Sequence, residues 1–413
     1  AGDIFIGGRS IRTDPLGCKR QLAYIPDNPD LYDFMSGIQY LNFIADVFGI
    51  PAAERWARIE PYADAFELTG DLAQPISAYS HGMKQKLAII AAWIHDPKLI
   101  IMDEPFVGLD PKAAHLLKGM MRAVCDGGGA IFFSTHVLEV AEKLCDKMAI
   151  IKADPLRHHG GGQGRRLPGG RVPGAGGCIM LKTLLKKQMA EIFRNYFYDP
   201  KKNKMRSRGA TIAYIALYAL LMVGLLGGMF ALLAVGICAP MAAAGVGWLY
   251  YLVMGLIAVL LGAFGSVFST YSSLYLSKDN DLLLSLPIPV RCVMASRLLG
   301  VYLLGLMYAA VVIVPGVIVY WLTAPVTAGT IVGGVLMVLI VSVIVMVLSC
   351  LLGWVVARIS LKLKNKSFIT VLLSLLFLAA YYFVYYKAQA LITLLVENAA
   401  VYGMKIRGSA YLL

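Results

Sequence analysis

The stretch LIIMDEP, residues 99–105, decides the fold of the first part of this chain. Its apolar run predicts a buried strand that delivers Asp103 and Glu104 at its carboxyl end. Ligands of α/β sheets bind at that edge. One carboxylate can hold Mg²⁺ through water while the next orients a water for attack on a phosphate. The stretch therefore predicts a phosphoryl-transfer site, although strands that end in an ordinary acidic turn share the pattern.

A serine–glycine turn precedes this strand in the segment YSHGMKQKL, residues 79–87. A turn of this kind at the start of a helix presents free backbone N–H groups and the positive end of the helix dipole, which together bind phosphate. Ser80 in this position is equally typical of an ordinary helix N-cap. The segment alone leaves both interpretations open.

A second apolar stretch, residues 131–133, follows the acidic strand along the chain and ends in Ser134, Thr135 and His136. It predicts a strand of the same sheet that delivers the histidine to the same edge. A purely structural role for the histidine is the alternative that this stretch leaves open.

Four segments resemble, in their order along the chain, the nucleotide-binding domain of ABC transporters: YSHGMKQKL, LIIMDEP, GLDP (residues 108–111) and STH (residues 134–136). The stretch AYIPDNPDLY, residues 23–32, resembles the region of its Q-loop, and the whole resemblance spans roughly residues 1–152. It implies an α/β P-loop-type nucleotide-binding domain that uses ATP and Mg²⁺. The residues that it implies are Ser80, His81, Gly82 and Met83 in the signature motif, Asp103 at the Walker B position as metal ligand, Glu104 as catalytic base, Asp110 in the D-loop, His136 as the switch histidine and Asp27 at the Q-loop position near the metal.

Three positions depart from the pattern of the family. Asp27 is shorter than the usual Gln or Glu, His81 stands where Gly is usual, and Met83 stands where Gln is common. Ser80 and Gly82 are retained, so the resemblance still implies a phosphate-facing turn.

The pattern GxxxxGK[ST] occurs nowhere among the 413 residues. In the resembled family that loop precedes a segment like GDIFIGG, residues 2–8, and supplies a backbone cradle, a phosphate-binding lysine and a Mg²⁺ ligand. We therefore expect a domain that is truncated relative to the family and inactive alone. Because the family pairs its domains head to tail, the resemblance implies that Ser80 and Gly82 serve ATP held by a partner, a second ATPase/permease subunit of a dimer.

The composition excludes an ordinary soluble enzyme. Hydrophobic residues make up 58% of the chain and charged residues 15%, against about 45–50% and about 25% in soluble domains. The seven cysteines include no CxxC pair, so neither a zinc site nor a disulfide framework is predicted. The net charge of +13 indicates either nucleic acid or a membrane surface as the partner, and the position of the charges decides between them.

Five apolar segments, each about as long as a bilayer-spanning helix, occupy the second part of the chain. They lie near residues 211–234, 246–268, 298–322, 331–356 and 368–386. Basic residues cluster before the first, third and fifth segments, whereas the turns 238–245 and 323–330 carry no charge. The positive-inside rule then predicts a multi-pass protein of the cytoplasmic (inner) membrane whose ATPase domain is cytoplasmic. The lipid bilayer is its predicted partner, and no nucleic acid is expected.

These patterns predict three domains. Residues 1–153 form an ABC-type ATPase domain without Walker A, residues 154–179 a Gly/Arg/Pro-rich linker, and residues 180–413 an all-α permease domain with about five transmembrane helices. The segment SKDNDLLLSLPIPV, residues 277–290, resembles the short cytoplasmic element by which ABC exporter permeases touch their ATPase. A generic interfacial segment is the alternative.

An ABC transporter subunit for ATP-driven export of an unknown substrate is the function that this resemblance implies. A DNA-repair or chromosome-maintenance ATPase shares the signature, but the charges cluster at span ends, which excludes it. A non-catalytic membrane scaffold with a degenerate ATPase domain is the first alternative. An artefactual fusion of adjacent ATPase and permease genes is the second, because residues 154–178 have the composition of GC-rich DNA read out of frame and MLK, residues 180–182, resembles a natural start.

Limited trypsin digestion tests the linker. Residues 154–178 contain few apolar groups to offset the entropy cost of ordering their glycines, so we expect disorder and first cleavage there. The expected sites are Arg165, Arg166 and Arg171. Mass spectrometry of the first two fragments on a denaturing gel would identify the cut. Resistance of these arginines under conditions that cleave elsewhere would contradict the prediction.

Overall fold

The computed structural model of the protein describes residues 3–149, 176–194, 198–199, 204–276, 279–323 and 327–362, with isolated positions between 375 and 394. Packing divides the chain into two compact units, Ala1–Arg206 with Lys278–Ser296, and Ser207–Ser277 with Arg297–Leu413. The first unit thus combines the stretch that resembles an ATPase with a short segment from between the apolar helices. The predicted linker, residues 154–179, lies almost entirely outside the described residues, so the disorder and gene-fusion hypotheses stay predictions.

The elements of the described residues follow one another as mixed strands and helices, then as helices alone. The strands are β1 (Phe5–Ile6), β2 (Arg9–Ser10), β3 (Leu22–Ile25), β4 (Leu99–Asp103), β5 (Ala130–Ser134), β6 (Tyr198–Asp199) and β7 (Lys204–Met205). The helices of the first unit's main stretch are α1 (Pro15–Lys19), α2 (Gly37–Phe48), α3 (Ala52–Ala65), α4 (His81–Trp93), α5 (Pro111–Asp126), α6 (Leu138–Leu144) and α7 (Gly176–Ile192). The later helices are α8 (Arg208–Ala219), α9 (Gly228–Ala243), α10 (Gly247–Thr270), α11 (Asn280–Ser285), α12 (Val290–Thr323) and α13 (Ala328–Lys362).

A parallel three-stranded sheet in the order β3-β4-β5 forms the centre of the first unit. Ile25 pairs with Met102, and Asp103 pairs with Ser134. The acidic strand therefore lies in the middle, as its apolar run predicts. Parallel strands place their carboxyl ends at one edge, so the residues that follow β3, β4 and β5 meet there. The α/β fold class predicted for this part of the chain is confirmed.

Local signals in the sequence set where several helices begin and end. Ser36 and Gln39 form a reciprocal capping box at the start of α2, and Gly49 ends that helix with φ 76°. Ser80 caps α4 and Asp110 caps α5 through their side-chain oxygens. These caps satisfy backbone N–H groups that would otherwise lack partners at the helix starts.

One hydrophobic core joins three separate stretches of the first unit. It contains most of α4, including Leu87 and Ile90, which are fully buried beside the sheet. The same core includes Leu184 of α7, and Leu283 and Leu286 of the segment around α11. The short segment between the apolar helices is thus part of the first unit because its leucines complete that core.

The second unit is helical throughout its described residues. Four helices are long and apolar enough to cross a membrane: Gly209–Ala243, Gly247–Tyr275, Val290–Thr323 and Ala328–Ser360. The first and second contain π-helical turns, Leu220–Gly227 and Tyr271–Tyr275. The first four predicted spans are therefore confirmed as helices of spanning length and composition. The predicted fifth span, residues 368–386, lies mostly outside the described residues.

Small residues allow these helices to approach closely. A Cβ atom added to Gly262 or to Gly305 would lie 2.9 Å from the side chain of Val345. Ser266 of α10 and Ser349 of α13 share a buried hydrogen bond of 2.6 Å between their hydroxyls. Small residues and buried side-chain hydrogen bonds are the usual contacts between helices in lipid, so this packing agrees with a transmembrane location.

Cysteine labelling tests the membrane topology. The basic clusters lie on one side of the predicted spans and the uncharged turns on the other, so we expect a cytoplasmic N-terminus and an external C-terminus. In intact cells, a variant with Ser409→Cys as its single cysteine should react with a membrane-impermeant maleimide. A variant that retains only Cys125, exposed on α5, should stay protected until the cells are permeabilised. Protection of both cysteines would show that the segment 368–386 does not cross.

Candidate functional site

The edge of the sheet brings together the carboxylates of β4 and the residues that follow β5. Ser134 Oγ donates a hydrogen bond to the carboxylate of Asp103, its partner in the strand pairing. The carboxylate oxygen Oε1 of Glu104 lies 2.8 Å from His136 Nδ1 and accepts a hydrogen bond of 2.9 Å from the backbone N–H of His136. Thr135 Oγ1 lies 3.5 Å from the second carboxylate oxygen of Glu104. Two sequence-predicted groups, the acid and the histidine, are therefore in direct contact.

The backbone at Glu104 adopts an uncommon conformation. Its φ of 46° is left-handed, which costs energy for a residue with a Cβ atom. The hydrogen bonds to His136 and the backbone bond from Glu104 N–H to the carbonyl of Ser134, 3.3 Å long, hold it there. The Glu104 side chain is 23% exposed and that of His136 74% exposed. The carboxylate is thus fixed in position and still reachable from solvent.

Asp27 lies at the same edge of the sheet. It follows β3 by two residues, and β3 pairs in parallel with β4. Its side chain is exposed. The topology therefore places it just after the strand that neighbours the strand of Asp103, although no direct contact joins it to Glu104 or His136 among the hydrogen bonds of the described residues.

The turn at Ser80 packs against the loop that follows the acidic strand. Ser80 Oγ accepts a hydrogen bond of 3.2 Å from Met83 N–H, the geometry of an N-cap. A Cβ atom added to Gly82 would lie 2.5 Å from the carbonyl oxygen of Gly108, and one added to Gly108 would lie 2.5 Å from the ring of His81. Gly108 also has φ of 78°. Both glycines are therefore required by the close approach of the turn and the loop.

An ion pair between Lys86 and Asp110 also connects α4 to the loop that follows the acidic strand. Asp110 Oδ1 accepts a hydrogen bond of 2.8 Å from Ala113 N–H, and Asp110 Oδ2 lies 2.7 Å from Lys86 Nζ. The hydrogen bond from Lys86 and the backbone N–H of Ala113 hold the pKa of Asp110 below its usual value. The aspartate is therefore ionised at neutral pH and links the start of α5 to α4.

Some of these contacts carried no sequence signal. Gly108 lies in the GLDP stretch and Lys86 in YSHGMKQKL, but nothing in their spacing indicates which partner each would meet. Thr135 lies inside the STH stretch, and only the pairing of β4 with β5 reveals that it faces the acid. The contacts that the sequence does not predict are those between residues that are distant along the chain.

The segment around α11 packs against β3. Lys19 Nζ donates a hydrogen bond to the carbonyl of Leu284, and Leu283 is 3% exposed within the core of the unit. His95 lines a small cavity there together with Asp281, and burial lowers the pKa of His95 to about 4, so its ring is neutral near pH 7. Through Leu283 and Leu284 the segment around α11 therefore contacts the ATPase-like part of the chain.

Part of this chain is similar in sequence to known proteins. The family model described as "AAA domain, putative AbiEii toxin, Type IV TA system" matches residues 20–142. ABC-type transporter ATP-binding protein EcsA of Bacillus subtilis is 35% identical over 159 residues, which cover 38% of this chain and 64% of that protein. An uncharacterized ABC transporter ATP-binding protein of Nostoc sp., all4389, is 35% identical over 156 residues, covering 36% of this chain and 47% of that protein.

A solved structure titled "Structure of ATP binding subunit of ABC transporter" is 39% identical, covers 35% of this chain and 61% of that one, and has a TM-score of 0.34. The chain thus spans less than two thirds of the length of each of these relatives. The relatives by sequence are ATP-binding proteins of ABC transporters, and residues 20–142, which the family model matches, contain the sheet and the contacts at its edge. The N-terminal part of this chain is an ABC ATPase-like domain, and four apolar helices of membrane-spanning length lie in its C-terminal region.

Proposed function

We propose that this chain is a subunit of an ABC transporter that couples ATP hydrolysis to the export of a substrate across the cytoplasmic membrane. The observation that carries the proposal is the contact of Glu104 with His136 at the sheet edge beside Asp103. The four apolar helices of the same chain support a role in transport, since they are long enough to cross a bilayer. The direction of transport follows the resemblance to ABC exporters.

The residues at the sheet edge fit Mg²⁺ and the phosphates of ATP in part. Asp103 and Asp27 offer exposed carboxylate oxygens, which suit a hard cation. The start of α4 offers backbone N–H groups to a phosphate. No GxxxxGK[ST] cradle exists among the 413 residues, so this chain fits the metal and one phosphate contact but lacks the loop that holds ATP on the same domain. When bound, Mg²⁺ neutralises charge on the phosphates.

Each residue at the edge has a chemical role in the proposal. Glu104 accepts the proton of the attacking water, because its carboxylate is fixed and still reachable. His136 holds that carboxylate through its ring and its backbone N–H. Asp103, which accepts a hydrogen bond from Ser134 Oγ, would hold Mg²⁺ through its carboxylate oxygens. The hydrolysis rate then depends on Glu104 as base and on His136 as its positioning residue.

The turn at Ser80 serves ATP that a second ATPase/permease subunit holds. The free N–H groups of His81 and Gly82 at the start of α4 point out of the helix end. Gly82 must lie against Gly108 for this turn to keep its shape. The proposal therefore places these residues at the interface of a dimer, with the transported substrate unspecified.

ATP turnover tests the hydrolytic role. The 413-residue polypeptide should hydrolyse no ATP above background, and Glu104→Gln should change nothing. An otherwise identical polypeptide, extended at its N-terminus with the GxxxxGK[ST] segment of a relative, should hydrolyse ATP. In that form Glu104→Gln should lower the rate by about 10²–10⁴-fold, the usual contribution of a general base. The measurement is phosphate release in detergent or nanodiscs.

The matched control is Glu142→Gln, an exposed glutamate of α6, which should leave the rate of the extended form unchanged. Hydrolysis by the 413-residue polypeptide that Glu104→Gln abolishes would contradict the proposed dependence on the loop. Absence of turnover in the extended form would favour the non-catalytic scaffold.

Substitution of Gly82 tests the turn. In Gly82→Ala, the new Cβ atom would clash with the backbone carbonyl of Gly108, which has no free rotamer to move. We expect destabilisation of the first unit by about 1–3 kcal/mol, the usual cost of overpacking. Gly119→Ala, in the middle of α5 with nothing within 4 Å of the new atom, is the control and should be neutral or slightly stabilising. Scanning fluorimetry should show a lower midpoint of the first unfolding transition for Gly82→Ala than for Gly119→Ala. Equal midpoints in the two variants would refute the close approach.

A further inference from the structure

A buried positive charge stands where the segment around α11 meets the rest of the first unit. Lys187 of α7 is only 5% exposed. Its Nζ atom lies 2.5 Å from Oδ2 of Asp279, the residue that precedes α11, and 2.9 Å from Oε2 of Glu191. The Asp279 side chain is 10% exposed and that of Glu191 44% exposed. Lys187 and Asp279 are therefore the desolvated pair, and Glu191 lies at its margin.

An aromatic residue from the ATPase-like stretch completes this cluster. Tyr32 is 5% exposed, and its hydroxyl donates a hydrogen bond of 3.3 Å to Oδ2 of Asp279, the same oxygen that Lys187 contacts. Lys187 Nζ also lies 4.5 Å from the centroid of the Tyr32 ring. The three residues come from three stretches of the chain that are far apart in sequence. Each of the three contacts both of the others.

We propose that Lys187 is the positioning residue that fixes the α11 segment onto the ATPase-like domain, which makes α7 an integral part of the docking surface. The inference deepens the proposed function, since a transporter needs a firm contact through which the ATPase moves its membrane helices. A buried lysine without its carboxylate is strongly unfavourable, because its charge loses water and gains no partner. The segment that carries Asp279 is thus held by the charge of α7 as well as by its leucines.

The apolar contacts around the pair support this assignment. Leu184, one turn before Lys187 on the same helix, belongs to the same hydrophobic core as Leu283 and Leu286. The pair therefore lies within packed side chains that keep water away. Apolar packing by itself tolerates sliding of one surface on another, whereas a buried ion pair requires one register. The register of α11 on the domain is set by the pair.

Hydrogen exchange of the full-length chain in detergent, without nucleotide, tests the proposal. Amides of residues 279–289 report docking, and those of residues 87–94 in α4 report the core. We expect Lys187→Glu and Asp279→Lys each to raise exchange of the α11 segment by at least about tenfold, since breaking a buried pair is costly. The double variant restores one cation beside two carboxylates and should return exchange to within about threefold of the original.

Lys186→Glu is the matched control, because Lys186 is the exposed neighbour on the same helix and the charge change is identical. Equal effects of Lys186→Glu and Lys187→Glu, or a double variant no better than the worse single one, would overturn the proposal. If Lys187→Glu also raises the amide exchange of α4, the variant Lys187→Met distinguishes loss of docking from unfolding of the core. Increased exchange confined to residues 279–289 supports the positioning role, whereas unchanged exchange or loss of protection in α4 refutes it.

The exchange experiment separates this proposal from the proposed function. It needs neither ATP nor transport, so rescue in the double variant establishes the docking pair even if the extended polypeptide hydrolyses no ATP. Conversely, the extended polypeptide could hydrolyse ATP while Lys187→Glu leaves the amide exchange unchanged. That result would support the proposed function and refute the positioning role of Lys187.

Discussion

Parallel pairing of β4 with β5 is the constraint on which the candidate site depends. The register that sets Asp103 opposite Ser134 also carries His136 to within hydrogen-bonding distance of Glu104. A slip of one residue would turn every side chain of the strand to the other face. Ile100 and Met102 of β4, which are almost fully buried, would then leave the core, so burial enforces the register. The geometry of the acid and the histidine is thus a consequence of how the sheet buries Ile25, Ile100 and Met102.

The close approach of two glycines and one ion pair link the turn at Ser80 to that sheet. Gly82 lies against the carbonyl of Gly108, in the loop between β4 and α5. Lys86, one turn after Gly82 on α4, pairs with Asp110, the N-cap residue of α5. The start of α4 is therefore held relative to the acidic edge by contacts that do not involve the reacting groups. Such support is what keeps a site precise, because side chains on a loop alone would move.

The first unit is held together by residues that come from both sides of the first apolar helices. Its core includes leucines of α7 and of the segment around α11, and the charge of Lys187 is compensated inside it by Asp279. A buried charged pair contributes little net stability, because desolvation offsets most of the attraction. The helices of the second unit make a different kind of contact, through small residues and a hydrogen bond between Ser266 and Ser349. In water, the hydrophobic effect drives the packing of the first unit. In lipid that driving force is absent, and small residues and side-chain hydrogen bonds are the usual contacts between helices.

The sequence by itself determined the strand that ends in Asp103 and Glu104 and the four apolar helices, because each depends on a run of apolar side chains. It also indicated the ABC ATPase-like domain through the order of its motifs. The contact of Glu104 with His136, the approach of Gly82 to Gly108 and the pair of Lys187 with Asp279 were decided only by the tertiary structure. Their partners are 32, 26 and 92 residues apart, and no local periodicity states which distant residue a side chain will meet. That choice is made by the register of the sheet and by the shape of the buried core.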